Sequence, residues 1–198
     1  MRTRNTDKQD LVKETAISLL AKQGFEGFSM NKLAKACGIS VATLYIYYAD
    51  KDDLIKQIGL EMGREFFGSA LKDFSPEMPF AEGLRLQWKN RLNYGTKNLL
   101  NVKCWEAIRH SPHNEYVLQN SYTQFKETLT LFRENAIKRG ELTNLPFEVF
   151  WSIAYGPLYT LMRFQQEKKS LGDRPFKLTP EMTEAAFEAV IKALTPTK

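Results

Sequence analysis

The stretch GISVATLYIYYADKDDL, residues 38–54, decides how this chain folds. Its aromatic and β-branched residues alternate as they do in strands. A strand needs a partner, however, and no other segment of the 198 residues reads as one. At about 100° per residue, Val41, Leu44, Tyr45 and Tyr48 gather within one arc, while Ala42, Thr43, Ile46 and Tyr47 fall on the other side. We therefore read residues 41–48 as a short amphipathic helix with the first set buried. Ser40 precedes it and Asp50 follows it, each an N-cap for the helix that starts next, and Asp53 in the first turn after Asp50 opposes the helix dipole.

Working outward, Ser29 caps a second short helix, MNKLAKAC, with Leu33, Ala34 and Cys37 turned inward. Gly38-Ile39 makes the tight turn, and Ala34 is small where the two helices cross. Before them, DKQDLVKETAISLLAKQGF places Val12, Ala16, Leu19 and Leu20 on one face and stops at Gly24. Two short helices around a glycine turn form a helix-turn-helix, whose second helix lies in the DNA major groove. The local pattern also fits an ordinary corner between two helices of a bundle.

Downstream, a long amphipathic helix carries Leu54, Ile58, Met62 and Phe66 inward and ends near the proline-containing DFSPEMP. Five further helices are expected: about 79–98, about 101–110 from Asn101, about 115–139 closed by Gly140, Pro146 to about Lys168 with a kink at Gly156-Pro157, and about 180–194. The last has Thr179 as cap and Pro180 at its first position. The fold class is all-α with about nine helices: a helix-turn-helix head over 1–51, a connecting helix from 51 to about 74, and a larger helical body over 75–198.

Hydrophobic residues make up 43% and charged residues 26%, enough to build a packed core. No apolar run reaches the roughly 18–20 residues of a membrane span, so no membrane partner is expected. MRTRNTDKQD has no apolar segment, and the two cysteines, Cys37 and Cys104, lie far apart; a reducing cytoplasm fits both. The net charge is +5, and residues 1–51 alone carry +3, from eight Lys/Arg and five Asp/Glu. The basic excess therefore sits where DNA contact is expected.

AKQGFEGFSMNKLAKACGISVATLYIYYADKDDLI resembles the DNA-binding head of the tetracycline-repressor-like (TetR) family. The matching elements are Gly24-Phe25, Ser29, Ala34, Gly38-Ile39-Ser40, Leu44-Tyr45, Tyr48 and Lys51-Asp52-Asp53-Leu54. Ala42 stands where Gly is common in the family, and Tyr48 where Phe is common. The resemblance implies that Ser29 and Ser40 meet phosphates at helix N-termini, that Tyr45 and Tyr47 donate phenolic hydrogen bonds to phosphates, and that Lys51 faces the DNA backbone. The groove-facing set is Ala42, Thr43, Ile46 and Tyr47, with Val41 at its edge. It lacks Arg, Lys, Asn and Gln, so readout is expected through thymine methyls, hydroxyl contacts and DNA shape. Arg2 and Arg4 either add phosphate or minor-groove contacts or form a solvated tail.

The resemblance also implies a body that binds a small effector and forms a homodimer through its last two helices. Phe147, Phe150, Trp151, Ala154, Leu158, Leu161 and Met162 recur at spacings of three and four. Met182, Ala186, Phe187, Ala189, Val190, Ala193 and Leu194 leave the last helix apolar on more than one face. Trp88, Tyr94, Trp105, Tyr122, Phe125, Phe132, Tyr155 and Tyr159 are candidates to line a pocket for an apolar or aromatic small molecule, or else to form plain core. His110 and His113 flank Ser-Pro and have no companion cluster, so a polar loop rather than a metal site is expected. Cys104 reads as a buried thiol or a redox sensor.

No catalytic set, phosphate loop, metal cluster or cofactor motif stands out. The sequence therefore reads as a ligand-responsive transcriptional regulator, a repressor on double-stranded operator DNA. An architectural, effector-independent DNA-binding protein is the alternative, and a helical enzyme a more distant one.

Overall fold

A computed structural model describes the backbone of residues 4–196 and the side chains of residues 7–196. Arg2 and the side chain of Arg4 lie outside the described residues. Among the described residues ten α-helices follow one another: α1 Arg4–Gly27, α2 Met30–Cys37, α3 Val41–Tyr47, α4 Lys51–Ala70, α5 Phe80–Lys97, α6 Leu99–Arg109, α7 Asn114–Ser121, α8 Thr123–Lys138, α9 Phe147–Glu167 and α10 Pro180–Leu194. A 3-10 turn spans Leu171–Asp173, and among the described residues the only β pairing is an isolated bridge between Lys169 and Pro175. The expected all-α class is what the chain adopts.

Packing divides the chain into two compact units. The first joins the stretch up to Phe67 with Asn98–Thr123; the second joins Gly68–Lys97 with the chain from Gln124 onward.

The first unit is built on locally encoded stops and starts. Gly24 leaves helical geometry at φ 69, where α1 was expected to end, and one more turn follows to Gly27. The backbone N–H of Lys32 donates to Ser29 Oγ at 3.3 Å, and that of Thr43 donates to Ser40 Oγ at 3.1 Å. Asp50 caps α4 by accepting from the Asp53 N–H at 2.7 Å, while the Asp53 carboxylate accepts from the Ala49 N–H at 2.9 Å. Gly38 takes the left-handed conformation (φ 65, ψ 31), and Ile39 N–H closes the turn on Ala34 O at 3.1 Å. An L-residue there would be strained, so Gly is a requirement of the turn.

The core of this unit holds Val12, Ala16, Leu20, Leu33, Ala34, Leu44, Leu54, Ile58 and Met62, as the helical periodicity implied. Leu19, Cys37 and Phe66, also read as inward, are only half-buried. Cys104, Ile108 and Val117 complete the same core, so α6 and α7 pack with the head. α4 crosses α7 at close range because Gly59 has no side chain; a Cβ there would lie 2.7 Å from Val117.

In the second unit, Phe80, Leu84, Trp88, Phe132, Phe150, Ala154, Leu158, Phe187, Val190 and Leu194 form one core. α9 and α10 pack on each other, with Trp88 Nε1 donating to Ala154 O at 2.8 Å and Arg85 forking onto Glu184 at the surface. Thr179 caps α10 through the Met182 N–H at 3.3 Å, and Pro180 occupies the first helical position, as expected. Gly140 ends α8 at φ 70.

Some boundaries differ from the sequence reading. The single helix expected over 115–139 is two, because the chain breaks at Tyr122. Around the break, Ser121 Oγ donates to Val117 O at 2.7 Å and Thr123 Oγ to Gln119 O at 3.4 Å. Hydroxyls that bond back to carbonyls four residues earlier weaken and bend a helix. α6 begins at Leu99 rather than Asn101, and α4 ends at Ala70. The Asn90 amide stops the latter by donating to the carbonyls of Ala70 and Lys72 at 3.3 and 2.8 Å. α9 runs through Gly156-Pro157 as one helix, although Pro157 has no N–H to give to the carbonyl four residues earlier.

Candidate nucleic-acid interface

α3 is seven residues long and rests on Leu44, which is fully buried. Tyr48 follows in extended backbone (φ −136) and returns into the core at 3% exposure. Burial holds its phenol above the ordinary tyrosine value, despite a hydrogen bond with Gln9. The sequence reading had buried Tyr45 beside Leu44; Tyr45 is instead 52% exposed. The buried arc centres on Leu44, with Val41 and Tyr47 at about 60° to either side and Tyr45 at about 100°. Tyr47 is accordingly half-buried, with its ring centroid 6.5 Å from that of Tyr48 in an edge-to-face contact.

What remains outward is a compact surface. Ile46 is 76% exposed, Ala42 and Tyr45 are exposed, and Thr43 is half-exposed. An isoleucine so exposed in the last turn of a short capped helix has little reason to be there for folding. Ser40 Oγ accepts from the Thr43 N–H and lies 2.9 Å from Thr43 Oγ1, so one of the two hydroxyls spends its O–H on the other and the second keeps its O–H to donate to DNA. Ser29 is half-buried and engaged in its cap.

Lys51 Nζ donates to Phe25 O at 3.2 Å and sits 4.0 Å above the Phe25 ring. It therefore ties the end of α1 to the start of α4 as well as presenting charge. Next to it, His113 Nε2–H donates to Asp52 Oδ1 at 3.0 Å, and the His113 ring meets Phe25 edge-on at 5.7 Å. His113 is only 8% exposed. It lies in the loop between α6 and α7, as the sequence reading expected, but its ring is buried and anchors the first turn of α4 from 61 residues away. Three independent contacts (the Asp50 cap, Lys51 on Phe25, and Asp52 with His113) thus fix where α4 leaves the helix-turn-helix.

The aromatic pocket candidates are divided between the two units. Trp105 and Tyr122 belong to the first unit, both against Phe67 at 6.1 and 5.2 Å between centroids. Trp88 and Phe132 are core side chains of the second unit, and Tyr94 is buried there as well. Phe125, Tyr155 and Tyr159 do converge, around a residue that sequence reasoning missed: Arg91, whose guanidinium carbon lies 4.3 Å from the Tyr155 ring centroid and 5.4 Å from that of Phe125. Arg91 Nε donates to Tyr159 Oη at 3.1 Å. Cys104 is fully buried and its thiol is pushed up to about 12 by burial, which argues against a reactive thiolate. Among the described residues no group of His, Cys, Asp and Glu is arranged for a metal, and no helix is long and apolar enough to cross a membrane.

Residues 7–58, spanning α1 to the first part of α4, match the family described as bacterial regulatory proteins, tetR family. The whole chain overlays a TetR family transcription regulator from Marinobacter aquaeolei with a TM-score of 0.78 at 26% identity, covering 100% of both chains. Its DNA-binding head is of the TetR type. A Haemophilus influenzae protein named as an uncharacterized HTH-type transcriptional regulator is 28% identical over 197 residues, covering 98% of this chain and 99% of that one. A TetR family protein from Vibrio parahaemolyticus shares the fold at 24% identity, with a TM-score of 0.76 over 96% of this chain and all of that one. The protein is a transcriptional regulator whose TetR-type helix-turn-helix binds DNA. The two N-caps and the left-handed Gly38 set the angle between α2 and α3.

Proposed function

We propose that this protein is a repressor that binds a near-palindromic operator as a homodimer and leaves it when a small molecule occupies its body. The observation that carries the reading is the outward face of α3, where Ile46 at 76% exposure stands beside the exposed Ala42 and Tyr45. Ala42, Ile46 and the Thr43 methyl suit thymine methyls; Tyr45 and Tyr47 suit phosphates, with Val41 at the rim and Ser29 and Ser40 at helix N-termini. Residues 1–51 read DNA, the helix from Lys51 connects, and 75–198 bind the effector and dimerise.

Dimerisation is supported by what α9 and α10 leave uncovered. Phe187, Val190 and Leu194 face their own core, whereas Met182 is 44% exposed and Ala185 and Ala189 are exposed. On α9, a Cβ at Gly156 would meet nothing within 4 Å. Small residues on two adjacent helices let a symmetric partner approach closely. Selecting binding sites from random DNA should return one near-palindromic sequence, and sedimentation should show a dimer at micromolar concentration. A monomer with and without DNA would remove the dimer; salt-sensitive binding without sequence preference would favour the architectural reading.

Lys51→Ala should weaken operator and random DNA alike and lower the salt slope by about 1, since one released counterion is lost. Titration across salt concentrations checks this. A loss confined to the operator would make Lys51 a base reader or a purely structural tie to Phe25.

Release by an effector requires different affinities for the two states of the protein; about 100-fold weaker DNA binding corresponds to about 2.7 kcal/mol of coupling. By reciprocity, saturating operator should weaken effector binding by the same factor.

A further inference from the structure

The second unit buries a cation with no carboxylate beside it. Arg91 is 0% exposed, and among the described residues it forms no ion pair. Its Nη1 donates to both the backbone and the side-chain oxygen of Gln87, itself 0% exposed. Its Nε is used by Tyr159. Its Nη2 has no partner, and neither has Gln87 Nε2.

The chemistry of these leftover groups is specific. An arginine only donates and does not lose its charge in proteins, so Gln87 must turn its oxygen toward it. That orientation leaves the amide nitrogen as a second donor. Two unmet donors on mutually bonded side chains, one of them charged, call for an acceptor that is itself negative. The aromatic faces of Tyr155 and Phe125 offset part of the burial through cation–π contact, but they supply no lone pair. Trp151 stacks obliquely on Tyr155 at 4.5 Å between centroids and packs edge-on to Phe125 at 6.4 Å, extending the apolar side of the site. Arg133 makes a useful contrast: its Nε is also unpaired, yet it is only half-buried and its Nη2 donates to both Asn144 Oδ1 and Leu145 O. A lone buried guanidinium costs stability, and proteins keep such groups where a ligand completes them.

We infer that Arg91 and Gln87 bind the carboxylate of an aromatic acid, whose ring lies against Phe125, Trp151 and Tyr155. This rests on the effector-binding reading of the body and gives the effector its chemical class: an aromatic monocarboxylate rather than a neutral apolar molecule.

The test is calorimetric titration of the full-length protein with benzoate, cinnamate and naphthoate, each against its matched alcohol (benzyl alcohol, cinnamyl alcohol and naphthalenemethanol). At least one acid should bind saturably and at least about 10-fold more tightly than its alcohol, as expected of a charge-assisted pair of hydrogen bonds. Arg91→Met should abolish that preference, and Arg91→Lys should retain part of it. The Arg91→Met protein should melt at or above the wild-type temperature without ligand and gain nothing from the acid. If every acid binds no better than its alcohol, the wild-type comparison alone overturns the anion site, whatever the variants do. Acid preference unchanged in Arg91→Met overturns it too. An acid that binds through Arg91 but leaves operator affinity unchanged keeps the site and sinks the effector reading. Release of DNA by a neutral ligand only does the reverse.

Discussion

Replacing Ile46 with Asp is expected to lower operator affinity on the order of 100-fold or more while leaving the fold intact. Ile46 is 76% exposed on α3, so it contributes little to the core, and surface substitutions of this kind usually shift stability by about 0.5 kcal/mol or less. In the proposed complex the same position faces a groove whose rims are lined by phosphates. A carboxylate there replaces an apolar contact by a charge that is both desolvated and repelled. One lost base contact is worth about 1–3 kcal/mol, and a dimer loses it in each half-site. Electrophoretic titration beside a thermal melt checks the expectation. An Ile46→Asp protein that melts and binds like wild type would place the groove surface elsewhere on the head.

The converse substitution lies two residues away. Leu44 is 0% exposed and is the one side chain of α3 that is fully enclosed in the core of the first unit. Truncating it to Ala removes its transfer free energy and leaves a cavity, at a combined cost of about 2–5 kcal/mol. α3 is only seven residues long and cannot hold helical structure by propensity, so its anchor sets its orientation. Leu44→Ala should therefore lower the urea midpoint of the protein markedly and weaken DNA binding as a consequence, with affinity partly recovered at low temperature. Unchanged stability with lost binding would mean that Leu44 touches DNA, contrary to its burial. The two variants together separate what α3 presents from what holds it.

The features of this protein that were legible in its sequence are those made by residues three or four apart. Ser29, Ser40, Asp50 and Thr179 each cap a helix by accepting from an N–H three residues on, an interaction set by the identity of a single side chain. Gly38 had to be glycine because its backbone is left-handed. Periodicity placed Val12, Ala16, Leu20, Leu54 and Ile58 inside without knowledge of what they meet. These local rules sufficed for the all-α class and the helix-turn-helix.

Tertiary structure decided the rest, because burial of a flanking residue depends on helices that arrive from elsewhere in the chain. Tyr45 and Tyr47 are chemically alike, and only the packing of the head determined that the first is exposed and the second half-buried. His113 reached Asp52 across 61 residues, and no local pattern distinguishes that histidine from an exposed one in a polar loop. Arg91 reads in sequence as an ordinary charged residue of an amphipathic helix. Its enclosure depends on Tyr159, 68 residues away, and on Phe125 and Tyr155, since a guanidinium is drawn into an interior only where several elements together supply its partners.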